Sequence, residues 1–116
     1  MKPESPCYKI NRGVNSNPAP LDNLRLETSP ACFYLLPYHH LDIAKFESAK
    51  ERDTLTIAFL NHHVRIMGRD LRELAIALQN RAVESIKPMP DRYSAAMEDQ
   101  TGVVESIEVE ETKERS

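Results

Sequence analysis

Residues 54–87 read TLTIAFLNHHVRIMGRDLRELAIALQNRAVESIK, and this stretch decides the fold. At its start, Leu55, Ile57 and Phe59 alternate with smaller residues, which places three large apolar side chains on one face of a strand. The same alternation returns in residues 64–66, after a short polar connection. Two alternating runs this close together predict a β-hairpin.

A helix is predicted directly after this hairpin. Gly68 is expected to end the second strand, and Asp70 has the position and residue type of a helix N-cap. Glu73 stands three residues later and completes an acidic form of the capping box. The apolar residues that follow recur with helical spacing and predict one buried face, formed by Leu71, Leu74, Ala75, Leu78 and Ala82.

Extended segments lie on both sides of this centre. Residues 83–86 form a short β-like run before two prolines, and residues 32–36 form a continuous apolar run before Pro37. Residues 38–47 are predicted to be extended, and the polar residues 48–53 are predicted to turn the chain into the hairpin. The predicted fold class is α+β: a small, mostly antiparallel sheet of about four to five strands, with one helix packed on one face.

Composition divides the chain into three parts. Residues 1–30 contain five of the eight prolines and few apolar residues, so they are predicted to be a largely disordered arm. The leucines of residues 21–26 either dock on the domain or remain solvated. Residues 31–90 form the single predicted domain. Residues 91–116 carry eight acidic and three basic residues, a net charge of −5, and are predicted to be a largely disordered acidic tail.

The overall composition is that of a soluble protein, with 41% hydrophobic and 28% charged residues in 116. The first residues lack the apolar segment of a signal peptide, and no run approaches the ~18 apolar residues that a membrane helix needs. These observations predict a cytoplasmic protein without a membrane partner. Cys7 and Cys32 are far apart and form no CxxC pair, which argues against a metal framework or a disulfide scaffold.

The four histidines form two adjacent pairs, His39 with His40 and His62 with His63. If residues 48–53 turn the chain, residue 47 lies beside residue 54 and the two pairs converge at the open end of the hairpin. Clustered imidazoles bind zinc, nickel or copper. Neighbouring strand residues point to opposite faces, however, so each pair offers one ligand per face. A histidine-based transition-metal site is therefore an alternative to the main prediction.

Three arginines surround the start of the predicted helix, namely Arg65, Arg69 and Arg72. Guanidinium groups bind phosphate, so a weak nucleic-acid-binding module is a second alternative. Asp70 and Glu73 are interleaved with these arginines, and a solvated face of mixed charge is the simpler interpretation. Nucleic acid is therefore not the partner that we expect.

The sequence carries no catalytic motif. It has three glycines and no GxSxG, HExxH or phosphate-binding glycine loop. Cys32 lies in an apolar run, where a thiol packs in the core more often than it acts as a nucleophile. We therefore predict a protein that is not an enzyme and that uses no cofactor.

Two features predict association with a protein partner or with a second copy. Ile76 lies about 140° around the helix from Leu71, among polar neighbours, where it would contact a second subunit, a partner or a docked tail. In the acidic tail, Val103, Ile107 and Val109 alternate with polar residues, as in strands that add to a sheet edge; a solvated tail is the simpler interpretation. The main prediction is a small non-enzymatic interaction or regulatory module.

Overall fold

The computed structural model describes residues 7–11, 20–89 and 102–112. They form eight strands, one α-helix and a single 3-10 turn at Tyr38–His40. In chain order the main elements are β1 (Tyr8–Ile10), β2 (Asn23–Ser29), β3 (Cys32–Pro37), β4 (Leu41–Ser48), β5 (Asp53–Phe59), β6 (His62–Arg69), α1 (Arg72–Gln79), β7 (Val83–Ile86) and β8 (Val103–Glu111).

The strands form two four-stranded sheets, which we call sheet A and sheet B. The strand order is β1-β7-β2-β3 in sheet A and β4-β5-β6-β8 in sheet B. All neighbouring strands are antiparallel except β2 and β7, which are parallel. The fold is therefore α+β, but the prediction of a single sheet is wrong. The second sheet arises because segments outside the predicted domain supply strands.

Those additional strands correct the predicted division of the chain. β1 and β2 lie within residues 1–30, and β8 lies within residues 91–116, so the fold extends beyond residues 31–90 on both sides. The average composition of such segments hides short strands. A strand needs only alternate apolar residues when its buried face packs against a core formed by other parts of the chain. The parts of the predicted disordered segments at residues 1–6, 12–19, 90–101 and 113–116 lie outside the described residues.

One cluster of buried side chains joins both sheets and the helix. The central hairpin contributes Leu55, Ile57 and Ile66, all fully buried, and β2 contributes Leu24 and Leu26 from sheet A. The leucines of the N-terminal arm thus form part of an inner strand. Burying each such side chain contributes ~1.5–3 kcal/mol relative to leaving it exposed, so β2 is an integral part of the core.

The predicted hairpins are confirmed. Glu47 pairs with Thr54 across the β4–β5 turn, and Ala58 pairs with His63 across the β5–β6 turn. The helix face is confirmed at Leu71, Leu74 and Leu78, all buried. The prediction is wrong for the two alanines: Ala75 is only partly buried, and Ala82 lies beyond the end of α1. Ala77, which the spacing did not include, is buried.

The start of α1 differs from its prediction. Asp70 does not cap the helix: its backbone is left-handed, with φ at 55°, and the residue at the N-cap position is Leu71, without a side-chain cap. The backbone N–H of Leu71 instead donates to Oδ2 of Asp53, at 3.0 Å. Asp53 is buried at the start of β5. A carboxylate from a distant part of the sequence therefore satisfies the backbone amide of the N-cap residue, where the sequence predicted a local cap by Asp70.

Replacing Asp53 with Ala should lower the free energy of unfolding by about 1–2 kcal/mol, because it removes the acceptor for the Leu71 amide. Asp70→Gly should leave that free energy unchanged or raise it by up to ~1 kcal/mol, since glycine adopts a positive φ without a steric cost. Denaturant unfolding followed by circular dichroism measures both variants. A larger loss for Asp70→Gly than for Asp53→Ala would contradict this assignment of the cap.

The sequence predicts that Gly68 ends the strand, and this prediction is wrong. Gly68 lies inside β6, opposite Val104. A bulge between Met67 and Gly68 brings the two backbones close together, and a Cβ at position 68 would collide with the carbonyl oxygen of Val103. Backbone atoms in a paired strand cannot move aside as a flexible side chain does. Position 68 therefore requires glycine because β8 packs directly on it.

Gly68→Ala should destabilise the chain by about 1–3 kcal/mol through overpacking, and the damage should be concentrated at β8. Amide hydrogen exchange should show faster exchange across residues 103–109 than in β5. Ser106→Ala, a change on β8 that adds no volume, is the control and should keep the exchange rates of the wild-type chain. Equal protection of β8 in the Gly68→Ala variant would show that β6 and β8 tolerate separation.

β1 pairs with β7, and Cys7, the residue before β1, contacts β8. Tyr8 pairs with Ile86, and the N–H of Lys87 donates to the carbonyl oxygen of Cys7 at 2.7 Å. The N–H of Val104 donates to the sulfur of Cys7 at 3.3 Å, and this thiol is buried. The first described residues are thus connected to the last strand.

The two thiols should therefore react at different rates. A thiol reagent such as Ellman's should modify the exposed Cys32 quickly and the buried Cys7 only on unfolding or local opening. A Cys32→Ser chain should retain the slow phase alone. If Cys7 reacted as fast as a thiol in a denatured chain, β1 would not be a stable part of the fold.

Candidate functional site

The structure does not assemble the predicted metal site. His39 and His40 lie in the 3-10 turn, with ring centroids 4.4 Å apart, and His62 and His63 begin β6. Across residues 7–11, 20–89 and 102–112, no group of three or more His, Cys, Asp or Glu side chains is arranged to hold a metal ion. The ring of His62 packs edge-on against the ring of Tyr34, with the two centroids 5.9 Å apart, so His62 has a role in packing.

The arginines of the predicted nucleic-acid surface face neighbours in the fold. Arg65 pairs with Glu108 at 3.6 Å, and Arg69 pairs with Glu105 at 3.7 Å. Arg72 lies over the ring of Phe46, 5.0 Å from its centroid. Exposed ion pairs of this kind stabilise a fold by at most ~1 kcal/mol, but they place carboxylates beside the guanidinium groups. The geometry therefore gives the nucleic-acid alternative no support.

The predicted interaction residues of the acidic tail also contact the protein's own fold. The alternation in this segment does form a strand, β8, and the sheet edge to which it adds is β6 of the same chain. Val103 is buried, and Ile107 and Val109 pack partly buried against the core. Val103 is therefore a core residue, Ile107 and Val109 pack against the core, and contact of these three residues with a partner stays a prediction. Ile76 is exposed, with 52% of its surface accessible, and its contact with a partner stays a prediction.

A cavity of about 590 Å³ lies between the β4–β5 turn, the end of β6 and the start of α1. Several of its polar side chains have structural partners. Asp53 accepts from the Leu71 amide, the hydroxyl of Tyr8 donates to Glu73 at 3.3 Å, and Arg52 pairs with Glu105 at 3.0 Å. Both signs of charge line the cavity in similar number, so it lacks the excess of one charge that selects an ionic ligand.

The outer strands of the two sheets differ in charge. Among the described residues, sheet A ends in β1 and β3, and sheet B ends in β4 and β8. Charged residues occur on three of these four strands: Lys9 on β1; Asp42, Lys45 and Glu47 on β4; Glu105, Glu108, Glu110 and Glu111 on β8. β3 reads CFYLLP and has none. Charge on edge strands is a common protection against pairing with other chains, so β3 is the unprotected edge.

The side chains of β3 divide between its two faces. Leu36 is buried, and Tyr34 packs against the core. Phe33 and Leu35 face outward, with 57% and 62% of their surfaces accessible. We call this uncharged outer strand, residues 32–37 with its exposed Phe33 and Leu35, the β3 edge.

The β3 edge is held firmly at its C-terminal end. The hydroxyl of Tyr38 donates to the carbonyl oxygen of Val83 at 2.6 Å, and its backbone N–H donates to the carbonyl oxygen of Asp22 at 2.9 Å. Burial raises the pKa of the Tyr38 phenol well above its usual value, so the hydroxyl remains a donor even in alkaline solution. Arg81 lies over the same ring, 5.7 Å from its centroid. Tyr38, the residue after β3, thus fixes the end of the strand through its bonds to β7 and to the residue before β2.

Sequence reasoning identified the strand but not its position in the sheet. The apolar run at residues 32–36 was predicted to be a strand, and Cys32 was predicted to be a core thiol. Cys32 is exposed, which corrects that prediction, because the strand lies at an edge and begins just after a turn. A continuous apolar run has the same appearance in inner and outer strands. The absence of charge from β3 becomes informative only when the other three outer strands are known.

Comparison of the chain with protein-family models, with curated proteins and with solved structures gives no match in any of the three. The helix among the described residues is too short and too polar to cross a membrane.

Proposed function

We propose that this protein is a small non-enzymatic interaction module that associates with a second copy of itself through the β3 edge. The single observation that carries the proposal is the contrast between β3 and the other outer strands of the described fold. β3 alone lacks charge, and it presents Phe33 and Leu35 to solvent. The proposal assigns this surface to the interaction or regulatory module that the sequence predicts.

The chemistry of a sheet edge supports strand addition. An outer strand carries backbone N–H and C=O groups on the side away from its neighbour, and a second strand satisfies them in the same pattern as an inner pair. Each such hydrogen bond contributes ~0.5–1.5 kcal/mol net. Partial burial of two apolar side chains per copy adds to this. The contact is confined to one strand, so association should be reversible and depend on concentration.

The non-enzymatic part of the proposal rests on the polar side chains around the cavity. Asp53, Tyr8 and Arg52 each bond to another element of the fold and so have structural roles. Catalysis instead needs a nucleophile or base held toward a substrate position.

Leu35→Lys should abolish concentration-dependent association, because it places a charge on the unprotected edge. Ile43→Lys is the matched control. Ile43 is as exposed as Leu35, at 62%, and lies on the outer strand of sheet B, where charges are already present. Sedimentation velocity from about 10 μM to about 1 mM covers the range expected of a small interface. The wild-type chain and Ile43→Lys should approach twice the 13.2 kDa chain mass, and Leu35→Lys should remain monomeric.

Circular dichroism must first show that both variants keep the wild-type spectrum. A wild-type chain that is monomeric throughout the range would overturn the proposal, as would equal loss of association in the two variants. Ile76→Asp belongs in the same series because it tests the separate prediction for the helix. If Ile76→Asp alone prevented association, the surface would be the exposed face of α1 and not the β3 edge.

A further inference from the structure

The structure points to one arrangement of the two copies: their β3 strands pair antiparallel, with Tyr34 of each copy opposite Tyr34 of the other. This inference rests on the proposed function and specifies the geometry of the same surface. It follows from symmetry, from the length of β3 and from the residues at its two ends.

Symmetry limits the possible registers. Most soluble homodimers have a two-fold axis, and the same surface patch then contacts itself. When two antiparallel edge strands meet in this way, the axis runs perpendicular to the joined sheet and keeps each face on its own side. Residues opposite each other point to the same face, so their numbers must sum to an even value. Registers that place Tyr34 opposite Leu35 are excluded, because these side chains point to opposite faces.

Six even registers overlap β3 with itself, and the two centred on Tyr34 and on Leu35 are the longest, because each pairs five of its residues. Centring on Phe33 extends the pairing into the Pro30–Ala31 turn, where the β2–β3 hairpin leaves the sheet. Centring on Leu35 places Pro37, which has no N–H, opposite Phe33. Centring on Tyr34 pairs residues 32–36 with one another and leaves Pro37 outside the paired segment. In this register every paired residue is able to donate a backbone N–H.

The same register gives matched side chains on the outer face. Phe33 of each copy lies opposite Leu35 of the second copy, which makes two aromatic–aliphatic cross-strand pairs. Within each copy, Leu35 pairs with Arg25 of β2, and Phe33 pairs with Glu27. Each row across the joined sheets therefore runs Arg25, Leu35, then Phe33 and Glu27 of the second copy. Both of these rows end in one charge of each sign, and Arg25 and Glu27 also pair within each copy at 3.2 Å, so no like charges face each other across the seam.

The size of the contact sets its strength. Two side chains that are more than half exposed offer roughly 200 Å² per copy, whereas a standard stable interface buries roughly 800 Å² per partner. The dimer should therefore exchange rapidly with monomer. Its sheet would contain eight strands, four from each copy, and each outer end of that sheet would be a β1 strand, which carries Lys9 paired with Glu84 at 3.1 Å.

Isotope-filtered NMR on an equal mixture of labelled and unlabelled chains tests the register. We expect intermolecular contacts between backbone protons of residue 33 in one copy and residue 35 in the other, with none from β4 or β8. Contacts centred on 33 with 33, or on 35 with 35, would overturn the register and leave the proposed function standing. Association without any intermolecular contact from β3, and insensitive to Leu35→Lys, would overturn both.

The exposed thiol supplies an independent distance. In the inferred register, Cys32 of one copy lies four residues along the seam from Cys32 of the other, which corresponds to about 14 Å between Cα atoms. Spin labels on Cys32, measured by pulsed electron resonance in dilute mixtures with the Cys32→Ser chain, should report a single short distance that disappears in the Leu35→Lys background. Pairing of β3 strands in parallel would place the labels within about 6 Å, and stacking of the two outer faces would broaden the distribution. Either result would overturn the register.

Discussion

One buried hydrogen bond directs the chain from sheet B to sheet A. The carboxylate of Asp53, at the start of β5, accepts from the Leu71 amide where β6 ends. The left-handed backbone of Asp70 reverses the chain at this point, and α1 then contacts both β4 and β7. A buried carboxylate without such a donor would cost several kcal/mol. The bond therefore holds the corner from which the helix and β7 take their places.

The hairpins and the helix were predictable because their signals are local. Leu55, Ile57 and Phe59 recur with period two and lie together on the buried face of β5. The helical spacing of Leu71, Leu74 and Leu78 likewise identified a real face. In both cases the residues that define the pattern lie close together in sequence, so the pattern is recognised without knowing any distant partner.

The remaining elements depend on residues far apart in sequence. β2 is flanked by β7 on one side, and β8 is placed by β6. Neither pairing has a local signature, because a short strand with alternate apolar residues resembles a polar tail until something covers it. The helix cap misled for a related reason: Asp70 and Glu73 fit a capping box, yet the acceptor came from Asp53. Likewise, the status of β3 as an edge is a property of the sheet and not of its own residues.

The acidic character of residues 103–111 has a structural explanation. Glu105 and Glu108 contact arginines presented by the neighbouring elements, and this strand closes one side of sheet B. The same carboxylates leave that side of the molecule repellent to other acidic edges. The net charge of the segment, which on the sequence alone indicated a solvated tail, thus belongs to a strand whose apolar residues face the core.

The topology of sheet A also sets the order in which the protein is able to form. Tyr8 pairs with Ile86, and β2 is bordered by β7, so two strands from the first quarter of the chain find their neighbour only near its last quarter. Contacts between distant residues require long loops to close first, and they slow folding. During synthesis the β2–β3 hairpin emerges well before β7, with Leu24 and Leu26 uncovered. Sheet B, except for β8, is built from consecutive hairpins and is able to form first, which makes the completion of sheet A a late event in folding.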